Sequence, residues 1–379
     1  MNETMKKEQA YRTGLYVVEL LRAVLEERVP EKKPEDLSME SIYQMAKRHS
    51  VETMVYEGAV QIAGSGDGPV MEKWKKRSRL CGIQGSVQRA EGKKLCKELP
   101  VHGIRILPLK GCIMKDLYPK PEYRQMCDID IFIDKENAGK AREVMEELGY
   151  VYVHSSGGVD NYEKKPWVSV ELHSFMLPPK YKNSKKYRTI WERAIGKGGV
   201  YQMNWDDYYI YMIEHFAKHF YLGGSGIRSV LDIYIFLQQK QGCLHSKYLK
   251  DQMCDRKLEQ FQKNMEKLAK NWFVDGNYGA MRDAEEVILL SGAYGTQEQY
   301  YRNIEEQIAG KYRIRWLVKL IYPVKRIFVD FHTMSDKYPI LKKCPFLLPV
   351  MWMHRLGKAL VANRDRVRRE LKIIGKKDR

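Results

Sequence analysis

The pattern of apolar and polar positions divides the chain into a helical beginning, a mixed α and β middle and a helical remainder. Apolar residues at helical spacing predict a first helix near residues 8–27, a second that opens at Ser38 as N-cap, and a long helix that ends near Leu99. From Trp205 onward the spacing is helical again, and we expect helices at 206–221, 226–239, 258–272, 281–290 and 297–309.

The middle of the chain has the alternation that is typical of β-strands. It predicts a hairpin turn at Gly157-Gly158, one helix at 135–148 with Asp134 as a candidate cap, and strands near 104–109, 127–133, 150–154, 159–164 and 167–173. We therefore expect an α+β fold: a small mixed β-sheet core at 101–203, an N-terminal helical region at 1–100, a C-terminal helical domain at 204–310 and a basic, amphipathic tail at 311–379.

Composition excludes several classes of protein. Of the 379 residues, 30% are charged and 11% aromatic, as in an ordinary soluble globular protein. The seven cysteines lack C-x-x-C spacing, so neither a disulfide framework nor a zinc ribbon is indicated, and reduced thiols in the cytoplasm are the simplest interpretation. No uninterrupted apolar run reaches the length of about 18 residues that a membrane span needs.

Positive charge is concentrated at the end of the chain. The formal net charge is +18, and residues 311–379 hold 19 Lys/Arg against 5 Asp/Glu, which leaves the preceding residues nearly neutral. Three interpretations fit this tail: a solvated surface, a peripheral contact with the inner membrane face through interleaved aromatic and basic residues, and RNA binding. Nucleic acid is the less favoured partner, because no RNA-binding module is visible.

The strongest chemical signal is the pair Asp128 and Asp130 in the run Asp-Ile-Asp-Ile-Phe-Ile. On a strand the two carboxylates share one face and the isoleucines fill the other. Adjacent carboxylates repel, so the pair favours a bound cation, and Mg²⁺ prefers such oxygen ligands. The alternative is that they are surface carboxylates that cap the next helix.

Two further segments extend this signal. Lys110-Gly111 follows a buried strand at the start of a short helix, an arrangement that favours phosphate binding, although Lys110 could also extend along the strand end into water. Glu171 lies on a later strand and supplies a third carboxylate. His173 shares its face, where we expect it to hydrogen-bond and orient Glu171 rather than to bind metal.

Four other positions have open interpretations. Arg124 pairs with Glu122 or Asp128, or contacts a phosphate. Arg228 and Asp232 either pair on one helix face or contact nucleotide or acceptor. His215 and His219 have the i, i+4 spacing of metal ligands, but packing or nucleotide contact is favoured.

The order of these motifs resembles the active site of the DNA polymerase β-like nucleotidyltransferases. More specifically, residues 40–355 are similar to the bacterial uncharacterised nucleotidyltransferase family, through the segments Leu109-Lys110-Gly111, Tyr118-Pro119, Arg124 to Asp130, Glu171-Leu172-His173, His215 with His219, and Arg228 with Asp232. One departure is Cys112, which stands where the wider superfamily has a hydroxyl or a second glycine.

The resemblance implies a metal-dependent enzyme that moves NMP from an NTP, ATP being the first choice, to a hydroxyl acceptor with release of pyrophosphate. Asp128, Asp130 and Glu171 would be the catalytic residues and hold two Mg²⁺ ions, and Lys110, Gly111, Arg124 and Arg228 would bind the nucleotide. The acceptor is expected to be a small molecule or a sugar- or lipid-linked precursor. The alternatives are a non-catalytic nucleotide sensor on the same fold and a tRNA- or RNA-modifying enzyme.

Overall fold

Four helices form the first part of the fold. Over the whole chain, a computed structural model describes residues 3–296, 299–300, 303, 324 and 327–362. The four helices are α1 (Glu3–Leu25), α2 (Met39–Arg48), α3 (Glu52–Ile62) and α4 (Gly68–Val101). The predicted cap is confirmed, since the Ser38 hydroxyl accepts a hydrogen bond from the Ser41 N–H at 3.1 Å.

A mixed sheet follows α4 and confirms the α+β class. Within the described residues its strands are β1 (Ile106–Pro108), β2 (Ile129–Ile133), β3 (Val151–Ser156), β4 (Val159–Lys164), β5 (Val168–His173), β6 (Ile195–Lys197) and β7 (Val200–Gln202), in the order β3-β4-β5-β2-β1-β7-β6. The β6–β7 hairpin was not predicted, because its three-residue strands are too short to alternate, whereas β1, of the same length, lies within a longer apolar run.

The central strand β2 has one antiparallel and one parallel neighbour. It pairs antiparallel with β1 and parallel with β5. Its isoleucines are buried on one side of the sheet, as the alternation predicted, against Leu95 and Leu99 of α4 and Val144 of the helix that follows β2.

Short helices connect the strands, and longer ones cover the other face of the sheet. The connecting helices are α5 (Gly111–Met114), α6 (Ala138–Glu147) and α7 (Ile190–Arg193). Asp134 precedes α6 but makes no capping hydrogen bond through its side chain; it pairs instead with Arg105, whose Nη2 is 3.0 Å from Oδ1. The covering helices are α8 (Trp205–Gly223), α9 (Ile227–Lys240), α10 (Ser246–Arg256), α11 (Glu259–Lys270) and α12 (Arg282–Ser291).

Two hydrophobic cores lie on opposite faces of the sheet. The larger one joins α1–α3 and α8–α12 with Leu107 and Phe132 of the sheet, and the smaller one lies beneath α4 and α6. Helix α4 belongs to both, because Trp74 is in the larger core and Leu95 and Leu99 are in the smaller one.

The described part of the tail forms the helices Phe331–Lys337, Ile340–Lys343 and Leu348–Ala362. Most of the predicted helix at 297–309 and the densely basic end at 364–377 lie outside the described residues. All seven cysteines are free thiols. No helix in the described ranges is long and apolar enough to cross a membrane.

Candidate functional site

The three predicted carboxylates line one cleft. In the parallel pairing of β2 with β5, Asp130 is the register partner of Glu171, so both side chains leave the same face of the sheet at neighbouring positions. Asp128 precedes Asp130 by two residues and also lines the cleft, together with Lys110 and Gly111. A volume of about 360 Å³ is in the range of small-molecule sites.

Asp130 is the electrostatic centre of this group. Its Oδ1 lies 2.5 Å from Lys110 Nζ and 2.8 Å from His173 Nε2, which donates a hydrogen bond. Burial alone would raise the pKa of Asp130, but the Lys110 charge and the His173 hydrogen bond hold that pKa well below its usual range. His173 Nε2 is also 3.3 Å from Glu171 Oε2, so the two side chains lie close together, but the hydrogen bond of His173 goes to Asp130 and its role in orienting Glu171 stays a prediction.

The donor set fits a divalent cation. One ligand atom from each of Asp130, Glu171 and His173 lies within 4.8 Å of the others. Burial first, and then the negative charges of Asp130 and Glu171, raise the pKa of Asp128 to about 6, against the opposing charges of Lys110 and Arg228. Carboxylate oxygens on two adjacent strands suit a hard ion such as Mg²⁺. His173 lies behind the carboxylates of Asp130 and Glu171 and can orient both of them.

The turn that carries Lys110 has an unusual backbone. Lys110 has φ 44° and ψ −114°, a region that residues with a Cβ rarely adopt. Its carbonyl accepts a hydrogen bond from the Tyr208 hydroxyl at 2.8 Å, which holds the turn against α8. The Cys112 thiol lies 3.7 Å from the Asp130 carbonyl oxygen, so Cys112 contacts the backbone of the sheet.

Gly111 permits close packing behind this turn. A Cβ at Gly111 would lie 2.7 Å from both Arg124 Nη1 and Met126 Cγ, closer than Cβ atoms in folded proteins come to their neighbours. The packing of these two side chains behind the turn therefore favours glycine at this position.

The two predicted nucleotide-binding arginines have structural partners. Arg124 is buried and pairs with Asp232, rather than with Glu122 or Asp128. Asp232 is therefore not the partner of Arg228, whose Nη1 donates to the Gln125 carbonyl oxygen at 3.1 Å. Both arginines line the cleft, and their contact with nucleotide stays a prediction.

The histidines of α8 face the cleft and contact each other. Their Nε2 atoms are 3.2 Å apart, so one ring donates to the other. Burial holds the pKa of His215 well below its usual range and lowers that of His219 to about 3, so both rings are neutral at pH 7. The metal-compatible group among the described residues does not include them.

Several residues of the cleft were not anticipated. One face of α8 contributes Lys218 and apolar side chains beside the histidines, and the segment after α12 contributes Tyr294. The helical spacing of Tyr208, Tyr211, His215 and His219 is the signal that could have identified this wall, because these positions share one helix face.

Comparison with known proteins identifies a family. No curated protein and no solved structure matches the chain. The model of a family described as uncharacterised nucleotidyltransferase matches residues 35–274, which span β1–β7 and helices α2–α11. The match ends well before residue 355, where the resemblance in sequence was expected to end. Since it covers more than half of the chain, the protein belongs to the uncharacterised nucleotidyltransferase family.

Proposed function

We propose that the protein transfers NMP from an NTP, with ATP as the first candidate, to a hydroxyl acceptor and releases pyrophosphate in a Mg²⁺-dependent reaction. The observation that carries the proposal is the register of Asp130 opposite Glu171 in a cleft that also contains Asp128 and Lys110. Membership of a nucleotidyltransferase family supports the reaction class.

Each residue has a role that follows from its position. Asp128, Asp130 and Glu171 would hold the metal, which when bound stabilises negative charge on the phosphates. With a cation beside Asp130, the Lys110 ammonium is free to contact the triphosphate, next to the backbone of Gly111. Arg228 has further N–H groups at the cleft for a phosphate or the nucleotide.

In the chemical step the acceptor oxygen attacks the α-phosphorus of the NTP. The bond from that phosphorus to the bridging oxygen breaks, and pyrophosphate leaves. Glu171 accepts the hydroxyl proton on a carboxylate oxygen as general base. His173, whose Nε2 lies 3.3 Å from Glu171 Oε2, would help to fix the position of that carboxylate.

Nucleotide binding tests the proposal before the acceptor is known. Calorimetric titration of the full-length protein with a non-hydrolysable ATP analogue should give binding that requires Mg²⁺. We expect Asp130→Asn and Glu171→Gln to weaken this binding at least tenfold. Asp134→Asn is the matched control, because Asp134 immediately follows the same strand but pairs with Arg105.

A pyrophosphate-release assay with pooled small-molecule acceptors then separates transfer from binding alone. Unchanged Mg²⁺-dependent binding in both variants, with melting temperatures near that of the wild type, would contradict the proposed site. Binding without pyrophosphate release from any acceptor would favour the nucleotide-sensing alternative.

We propose a small molecule or a sugar- or lipid-linked precursor as the acceptor rather than RNA. The chain before residue 311 carries a net charge of only +4 over 310 residues, which gives little overall attraction for the phosphates of RNA.

We also propose a cytoplasmic protein whose tail contacts an anionic membrane surface. In the described part of the tail, Phe346, Val350 and Met353 lie at i, i+4 and i+7 and are 77%, 55% and 68% exposed. Lys342, Lys343 and Lys358 are exposed near the two ends of this apolar stripe. Apolar side chains flanked by lysines, in a tail with net charge +14, favour the negatively charged interface of a bilayer.

A further inference from the structure

Lys218 is a cation in the cleft that has no partner among the residues that the structure describes. It lies on α8 next to His219, is half-buried and lines the same cleft as the carboxylates. Across the described ranges of the chain, no hydrogen bond or ion pair involves its ammonium. Removing an ammonium from water without a partner is costly, so such a group favours a bound anion.

The charged groups around Lys218 do not compensate for the burial of its ammonium. Burial first, and then repulsion by Lys110, lower the pKa of Lys218 to about 8, while Asp130 and Glu171 oppose this shift and Lys180 adds to it. Asp130 is already paired with Lys110 and His173. In the proposed reaction Asp130 and Glu171 also bind the metal, so Lys218 is left without an available carboxylate.

Lys218 lies far along α8 from the turn that is assigned to the triphosphate. The Tyr208 hydroxyl contacts the carbonyl of Lys110 in that turn, and Lys218 follows Tyr208 by ten residues, or about 15 Å along the helix axis. Lys218 lines the cleft with Glu171, the residue that receives the acceptor proton in the proposed reaction, and we therefore assign Lys218 to the acceptor side.

We propose that Lys218 binds an oxyanion of the acceptor, so that the acceptor is a small hydroxyl compound with a phosphate or carboxylate group. This inference rests on the proposed function, because it takes Glu171 as the base that activates the acceptor. The ammonium supplies up to three N–H donors to the oxyanion. The neutral His215–His219 pair beside it adds no competing positive charge.

Anion binding to the nucleotide complex tests this assignment. Inorganic phosphate, and acetate in a parallel titration, are added to the full-length protein saturated with Mg²⁺ and a non-hydrolysable ATP analogue. At least one of them should bind saturably, with an affinity at least tenfold lower in Lys218→Gln. Lys218→Arg should restore most of the affinity, because it retains the positive charge.

The control is Lys240→Gln on α9. Lys240 is also half-buried, lies over the Trp205 ring at 4.4 Å and is outside the cleft, so its replacement should leave anion binding unchanged. Nucleotide affinity should differ less than twofold between Lys218→Gln and the wild type. An equal loss of nucleotide affinity in Lys218→Gln would assign Lys218 to the triphosphate and overturn the inference.

The failure of this inference is distinguishable from that of the proposed function. Nucleotide binding without Lys218-dependent binding of phosphate or acetate overturns the oxyanion site alone. If the wild type does not bind the Mg²⁺–nucleotide analogue, both proposals are overturned.

Discussion

Arg124 and Asp232 form a buried two-point ion pair, although 108 residues separate them in the chain. Nε lies 2.9 Å from Oδ1 and Nη2 lies 2.8 Å from Oδ2. The Tyr118 hydroxyl donates to the same carboxylate at 2.7 Å. The pair connects the loop before β2 to α9 and so fixes one wall of the cleft.

Removing either partner should destabilise the protein strongly. Asp232→Ala leaves the Arg124 charge buried without compensation, and we expect the free energy of unfolding to fall by about 3–5 kcal/mol. The double replacement Arg124→Met with Asp232→Leu removes both charges and should cost less than Asp232→Ala. Urea denaturation of the three proteins measures these differences. A loss below 1 kcal/mol in Asp232→Ala would exclude a structural role for the pair.

Gly111→Ala should disturb both the turn and the ion pair. The new Cβ would meet Arg124 Nη1 and Met126 Cγ at 2.7 Å, and overpacking of this kind costs about 1–3 kcal/mol. Gly82→Ala is the matched control, because Gly82 is inside α4 and a Cβ there meets nothing within 4 Å. Helix propensity predicts that the control gains up to about 1 kcal/mol. Thermal unfolding of the two variants should therefore shift in opposite directions.

Stability should fall in mild acid because of His49. This ring is fully buried; its Nε2–H donates to the Leu289 carbonyl at 3.1 Å, and its Nδ1 accepts from the Ile227 N–H at 3.0 Å. Burial, with smaller effects of Arg48 and Arg228, lowers the pKa of His49 to about 3 from an ordinary value of 6.5. The unfolded chain therefore binds the proton more tightly than the folded chain does, and stability is lost as pH falls from 6.5 toward 3.

The expected loss for His49 is about 2 kcal/mol between pH 7.5 and pH 5. Urea denaturation at the two pH values measures it as the difference between the wild type and His49→Gln, since the variant has no imidazole to protonate. His154→Gln, at an exposed position on β3, should retain the wild-type pH dependence. An equal loss in the wild type and His49→Gln would assign the acid sensitivity to other groups.

Vesicle binding should depend on the apolar stripe of the tail. We expect co-sedimentation of the full-length protein with phosphatidylglycerol vesicles to fall at least tenfold when Phe346, Val350 and Met353 are replaced by serine. The control replaces Val29, Val101 and Ile195, which are also exposed but scattered over the fold. Equal binding of both variants would contradict the proposal. If the wild type forms a concentration-dependent dimer and the three serine replacements abolish it, the apolar stripe binds a second copy of the chain instead.

Local patterns predicted the sheet where the strands are long enough. The alternation around Asp128 and Asp130 placed β2, with its isoleucines in a core, and the same reasoning placed β5 with Glu171. The parallel register of Asp130 with Glu171 could not be derived from either strand, because pairing depends on contacts between segments 41 positions apart.

The partners of the charged residues were the least predictable part of the site. The i, i+4 spacing of Arg228 and Asp232 indicated a pair on one helix, but the bidentate partner of Asp232 is Arg124 from a distant loop. Lys218 has no motif in the sequence and becomes noticeable only when α8 is placed over the carboxylates. The catalytic and nucleotide-binding roles of the site residues, and the domain boundaries, stay predictions.

The length of helix α4 sets the distance between its contacts with the two cores. Its 34 residues span about 50 Å, of which about 38 Å lies between Trp74 in one core and Leu99 under the sheet. One inserted residue between these positions would turn Leu95 and Leu99 by about 100° and shift the sheet along the helix axis. Evolution can therefore lengthen the loop before α4 more freely than α4 itself. A fragment that begins at residue 101 would keep α6 but expose the part of the smaller core that α4 covers, and we expect it to aggregate.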